Sequence, residues 1–67
     1  MKEREKSGRV VVRRPEVERI TGLSRSSLYS LMARNDFPRP FRLTTAAVGW
    51  NLEEVLAWVD SRHRVVA

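Results

Sequence analysis

The run Gly22-Leu23-Ser24-Arg25-Ser26-Ser27-Leu28-Tyr29-Ser30-Leu31-Met32-Ala33-Arg34 limits the folds open to this chain more than any other stretch. Ser24 suits a helix N-cap, because its hydroxyl can accept a hydrogen bond from one of the first backbone N–H groups, which have no intrahelical partner. Leu23 before the cap and Leu28 four residues after it form a hydrophobic staple that sets the angle of entry. Leu28, Leu31 and Met32 recur at helical spacing and make one apolar face. Arg25, Ser26, Tyr29, Ser30 and Ala33 occupy the opposite face. Its small side chains let another surface approach, and Arg25 and Tyr29 supply charge, hydrogen bonding and a flat ring. A short, polar, cationic face of this kind suits the floor of a DNA major groove. The spacing predicts the recognition helix of a helix-turn-helix, running from Arg25 to Arg34.

The flanking segments supply what such a helix needs to pack on. Arg14-Pro15 opens a first helix, since proline loses nothing at the first helical position. Glu16 and Glu18 complement its positive end. Val17 and Ile20 point inward, Gly22 is a left-handed stop, and Leu23 folds back onto Val17. A helix of about two turns is unstable alone and must lean on the next. The tight link Thr21-Gly22-Leu23-Ser24 suits a helix-turn-helix. Ahead of it, Val10-Val11-Val12 reads as a short strand between Arg9 and Arg13.

Asn35-Asp36 ends the second helix, and Phe37-Pro38-Arg39-Pro40 is held extended by its prolines. Phe41-Arg42-Leu43 and Val48-Gly49-Trp50 then read as two strands about a Thr44-Thr45-Ala46-Ala47 turn, a β-hairpin wing. Phe41 and Leu43 are expected to face the core, with Arg42 outside beside Thr44 and Thr45. Asn51 caps a third helix, Glu54 makes a variant capping box, and Trp50 staples to Val55. Leu52, Val55, Leu56 and Val59 form the expected buried stripe, with Trp58 at its edge. Arg62 and Arg64 lie near the negative helix end, and His63 reads as exposed. The whole is mainly α with a small β-hairpin, a winged helix-turn-helix over residues 10–64. A flexible charged tail is expected at 1–9 and a C-terminal tail at 65–67.

Composition narrows the function. The chain has 67 residues, no cysteine and one histidine. A domain of this size buries roughly 60% of its unfolded surface, which argues against a deep substrate pocket and a cofactor. No nucleophile–base pair, metal cluster or phosphate-binding loop points to an enzyme. Thirteen Lys and Arg against eight Asp and Glu give +5, and eleven of the thirteen are arginines. That balance favours a polyanion, and arginine suits guanine and phosphate recognition. The charged start, Met1 to Gly8, does not read as a signal peptide. No run approaches the ~20 apolar residues of a membrane span, so the expected location is cytoplasmic.

Each candidate contact has a competing structural reading. Arg25 in the first helical turn can reach phosphate or the O6/N7 edge of guanine. Ser26 and Ser30 can bond to phosphates or base edges, or simply be small. Tyr29 can place its hydroxyl on a phosphate or lie against the wing. Arg34 suits backbone more than bases. Arg39, mounted between Pro38 and Pro40, and Arg42 flank the wing. Arg13 and Arg14 are placed to hold a neighbouring phosphate strand. For Arg13, Arg14, Arg39 and Arg42 the competing reading is solvated charge. Trp50 and Trp58 sit in apolar patterns and read as core.

The ordered set Thr21-Gly22-Leu23-Ser24-Arg25-Ser26-Ser27-Leu28-Tyr29, Phe37-Pro38-Arg39-Pro40, Val48-Gly49-Trp50 and Val55-Leu56-Ala57-Trp58 resembles the AlpA-like family of phage and prophage regulators. The likeness runs from about Arg13 to Arg62. It implies a fold similar to excisionases and MerR-type DNA-binding domains, and a protein that regulates transcription near mobile-element genes or promotes excision. It also implies that Ser24, Arg25, Ser26, Ser27 and Tyr29 are recognition-helix contacts, and that Arg39 and Arg42 are the basic residues of the wing. Relatives often carry a basic residue with glycine or proline in the wing turn. Thr44-Thr45-Ala46-Ala47 departs from that, which argues against deep minor-groove insertion. The expected partner is double-stranded DNA, with integrase or RNA polymerase as candidate protein partners and cooperative self-association on repeated sites. The alternative is a protein-interaction module that docks through the Arg25–Tyr29 face or through Leu52 to His63.

Overall fold

The computed structural model describes residues 9–66. Met1–Gly8, all but the last residue of the tail expected at 1–9, and Ala67 lie outside the described residues. The elements follow in the order β1 (Val11–Val12), α1 (Arg14–Thr21), α2 (Arg25–Ala33), β2 (Phe41–Thr44), β3 (Ala47–Asn51) and α3 (Leu52–Asp60). The strands form one antiparallel sheet in the order β1-β3-β2. The expected hairpin is therefore two strands of a three-stranded sheet. The N-terminal strand closes its other side, with Val11 opposite Asn51 and Val12 opposite Trp50.

Local chemistry accounts for the helix ends. Pro15 lies in the first turn of α1, and Gly22 ends that helix at φ 77°, where its N–H donates to the Glu18 carbonyl. That left-handed conformation is open to glycine without steric cost. Ser24 caps α2, its side chain accepting from the Ser27 N–H. Asn51 caps α3 by accepting from the Glu54 N–H. Beyond α3, Arg62 folds back so that its guanidinium lies 4.4 Å from the centre of the Trp58 ring, and its Nε donates to the Trp58 carbonyl. The cation thus meets the negative end of the helix. His63 is exposed.

The core gathers residues from every layer. Val17 of α1, Leu28 and Met32 of α2, Phe37 of the link, Trp50 of β3 and Val55 of α3 form one buried cluster. Both indole N–H groups are satisfied by the link that follows α2. Trp50 donates to the Pro38 carbonyl at 3.0 Å and Trp58 to the Asp36 carbonyl at 2.7 Å. Between them Phe37 meets Trp58 edge to face at a centroid distance of 4.8 Å, a geometry that aligns the ring edge with the π face. Residues Asp36 to Pro38 are thereby fastened to the sheet and to α3.

Two expectations about burial are overturned. Phe41 and Leu43 are 46% and 45% exposed instead of facing the core. The register explains it, since Phe41 pairs with Gly49 and Arg42 with Val48. Residues paired across strands share a face, and successive residues alternate. Trp50 and Val48 therefore take the inner face, and Phe41 the outer one. Leu43 falls at an irregularity between Arg42 and Thr44. It closes over Gly49 with Val11, leaving no room for a side chain there: a Cβ would lie 2.4 Å from Val11 Cγ1 and 3.0 Å from Leu43 Cδ1. Leu56 is likewise 41% exposed rather than part of the buried stripe. The docking of Trp58 onto Phe37 turns α3 so that Val55 is central, and Leu56 lies to the side.

Leu28 has no exposed surface, and truncating a buried leucine leaves a cavity as well as removing apolar contact. Leu28→Ala is expected to lower stability by about 2–4 kcal/mol, measured by urea unfolding followed by far-UV circular dichroism.

Candidate nucleic-acid interface

α2 shows a sharp division between its two sides. Leu28 and Met32 are buried and Leu31 is half-buried, whereas Arg25, Ser26, Tyr29, Ser30 and Ala33 are all exposed. At about 100° per residue those five lie within an arc of about 140°. The Arg25 guanidinium sits 5.7 Å from the centre of the Tyr29 ring, within reach of a cation–π contact. Among the described residues, the ion pairs involve Arg14, Arg19 and Arg34, and none involves Arg25. The charge of Arg25 is therefore offset by no neighbouring carboxylate in that set.

The other expected site residues divide by what already occupies them. The Ser24 and Ser27 hydroxyls bond each other at 3.1 Å, and Ser24 Oγ also accepts from the Ser27 N–H. Their first task is to start α2. Arg14 Nε lies 2.9 Å from Glu18 Oε2, so that arginine braces α1. Arg34 makes a looser pair with Asp36 at 3.7 Å. Arg39 Nη2 donates to Asn35 Oδ1 at 3.1 Å and to the Met32 carbonyl at 3.4 Å. Arg42 Nη1 donates to the Thr45 carbonyl at 3.3 Å, and Thr44 Oγ1 accepts from the Ala46 N–H. These last two contacts shape the turn of the hairpin. Arg13 is exposed and supplies the carbonyl that accepts from the Glu16 and Val17 N–H groups at the start of α1.

Charge is unevenly spread along the chain. Between Arg19 and Glu53 the only carboxylate is Asp36, against Arg25, Arg34, Arg39 and Arg42. Glu53, Glu54 and Asp60 lie on α3 instead. On α1 the hydrogen bond from Arg19 to Glu16, and the attraction between their charges, raise the Arg19 pKa above its ordinary value. Glu16 and Glu18 are thus each matched to an arginine on their own helix, and the α2 and hairpin arginines are left in excess.

Three short helices, the first two joined by a tight turn, and a small antiparallel sheet are compatible with a helix-turn-helix DNA-binding fold. Among the described residues, no helix is long and apolar enough to cross a membrane. The model of the family described as prophage CP4-57 regulatory protein (AlpA) matches residues 10–63, and the chain belongs to that family of phage and prophage regulators. A protein of Enterobacteria phage P4, described as uncharacterized protein ORF88, is 41% identical over 51 residues. That match covers 76% of this chain and 58% of the phage protein, so the chain spans little more than half the length of that relative.

The cap geometry gives Ser24 a role that can be measured without any ligand. Ser24→Ala is expected to cost about 1 kcal/mol, read as a lower Tm. Ser26→Ala, a neighbour with no such bond, should shift Tm far less.

Proposed function

We propose that this protein is a sequence-specific double-stranded DNA-binding regulator of phage or prophage genes, with α2 as the reading element. The observation that carries the proposal is the exposed face of α2, where Arg25 is the one cation and Ser26, Tyr29, Ser30 and Ala33 are its neighbours. Arginine presents two parallel donors to the O6 and N7 acceptors of guanine in the major groove. Small residues on either side let the helix approach the bases. Tyr29, beside Arg25, limits the conformations of the guanidinium before binding, which lowers the entropy lost on contact. Ser26 and Ser30 reach base edges or phosphates from the same arc.

Affinity comes mainly from phosphates, as for most proteins that bind duplexes. The hairpin β2–β3 serves as the wing, with Arg42, Thr44 and Thr45 along the backbone, while Arg13 and Arg34 add contacts near the ends of α1 and α2. A single module covers few base pairs, so binding is cooperative on repeated or inverted sites. Belonging to a family of prophage regulators supports a role in transcription near mobile-element genes. Promotion of excision alongside an integrase is the finer form of the same reading. DNA bending and integrase-dependent excision assays separate the two roles.

The test begins with duplexes selected by the wild-type protein from a random library, compared with unselected random duplex. Arg25→Ala is expected to weaken binding to the selected duplex by about 1–3 kcal/mol and to leave random duplex nearly unchanged. Arg42→Ala is expected to weaken both similarly and to reduce the salt slope by about 0.9. Equal losses on both DNAs for Arg25→Ala would refute its role as a base reader. Binding of no duplex at low salt would favour the protein-interaction alternative.

A further inference from the structure

The C-terminal end of α2 is built in an unusual way. Its capping residue is Arg34, and its last turn contains no basic residue. Asn35 follows at φ 62°, a left-handed conformation that non-glycine residues adopt with strain and that asparagine tolerates better than most. The Asn35 N–H donates to the Met32 carbonyl at 3.0 Å, and the Asp36 N–H reaches back to the Leu31 carbonyl at 2.8 Å. Those two bonds make a Schellman closure, which ordinarily has glycine at the left-handed position. Here the turn is completed from outside the helix. Arg39 Nη2 donates both to the Asn35 side-chain oxygen at 3.1 Å and to the same Met32 carbonyl at 3.4 Å.

Arg39 also stands on a fixed base. Pro38 and Pro40 restrict the backbone on either side. The Pro38 carbonyl is held by the buried Trp50 indole, and the Asp36 carbonyl by that of Trp58. A cation carried by the strut between α2 and the hairpin thus binds the negative end of the helix and ties the left-handed turn to that strut.

We propose that Arg39 is a positioning residue. It locks the end of the α2 reading helix to the strut that leads into the hairpin, and it does not contact DNA phosphate. This replaces the role of wing contact expected of Arg39 from the sequence, and it rests on the proposed function only in naming what α2 reads. A rigid link between α2 and the hairpin matters because base contacts and backbone contacts must be made together. Loosening it penalises the duplex on which both sets fit, and hardly affects a duplex on which only phosphates are bound.

The experiment compares the full chain with Arg39→Ala and with Arg39→Lys, which keeps a charge for a phosphate but loses the planar guanidinium donor. Amide hydrogen exchange of the DNA-free proteins is read at Asn35 and Asp36. Affinities and salt slopes are then measured on the selected and random duplexes. Faster exchange at both amides is expected in Arg39→Ala, with Arg42→Ala unchanged. On the selected duplex Arg39→Ala should bind at least about threefold more weakly, the scale of one lost hydrogen bond, and random duplex and both salt slopes should stay as in the wild type. Arg39→Lys should resemble Arg39→Ala rather than the wild type. Unchanged exchange in Arg39→Ala overturns the proposal, and so does a fall of about 0.9 in the salt slope on both DNAs or wild-type behaviour of Arg39→Lys. If the wild type binds no duplex, the proposed function fails, and the exchange measurement still decides whether Arg39 locks the turn.

Discussion

The structure depends on burying Trp50 at the centre of a sheet too small to bury anything by itself. The indole has no exposed surface, and its one polar atom is satisfied by the Pro38 carbonyl. Covering a side chain of that size takes material from all three helices and from the link after α2. Two-turn helices gain little from their own hydrogen bonds, so Val17, Leu28 and Val55 hold α1, α2 and α3 by meeting the same apolar cluster. Among the described residues the buried side chains form this one cluster, in keeping with the thin core of a chain this short.

That single core also separates what the surface offers. The buried side of α2 is taken up by Leu28 and Met32, which leaves Arg25 and its small neighbours outward. The carboxylates of α1 are matched by arginines on the same helix, and the other described ones, Asp36 apart, lie on α3. The proposed reading of DNA draws on this division. Arg25, which is in no ion pair among the described residues, can exchange its counterion for phosphate, whereas Arg14 and Arg39, and more loosely Arg34 and Arg42, have partners within the fold.

The features legible in the sequence are those whose cause is local. The Ser24 and Asn51 caps, the Gly22 stop and Pro15 at the start of α1 each depend on atoms a few positions away. Their outcome could be derived from side-chain chemistry alone. The faces of the hairpin could not. Phe41 and Leu43 alternate correctly for a strand, but alternation does not say which side is inward. The pairing with Gly49 and Val48 decided that. Leu56 departs from the aliphatic stripe of α3 for a related reason, since the docking of Trp58 on Phe37 and Asp36 outweighs it. The pairing of β1 with β3 joins residues about forty apart and leaves no trace in local pattern.

The candidate site divides along the same line. Sequence by itself determined that a capped helix would begin after Ser24, that Leu28, Leu31 and Met32 would share one apolar face, and that the chain would carry an excess of arginine. Helical periodicity and side-chain chemistry suffice for each of these. Only the tertiary structure decided which arginines remain without an internal partner, because that depends on which carboxylates and carbonyls the folded backbone brings within reach. Arg25 and Arg39 look alike as letters. One stands over a tyrosine on an open helix face, and the other is drawn onto the end of that helix by a turn and a proline-bound strut.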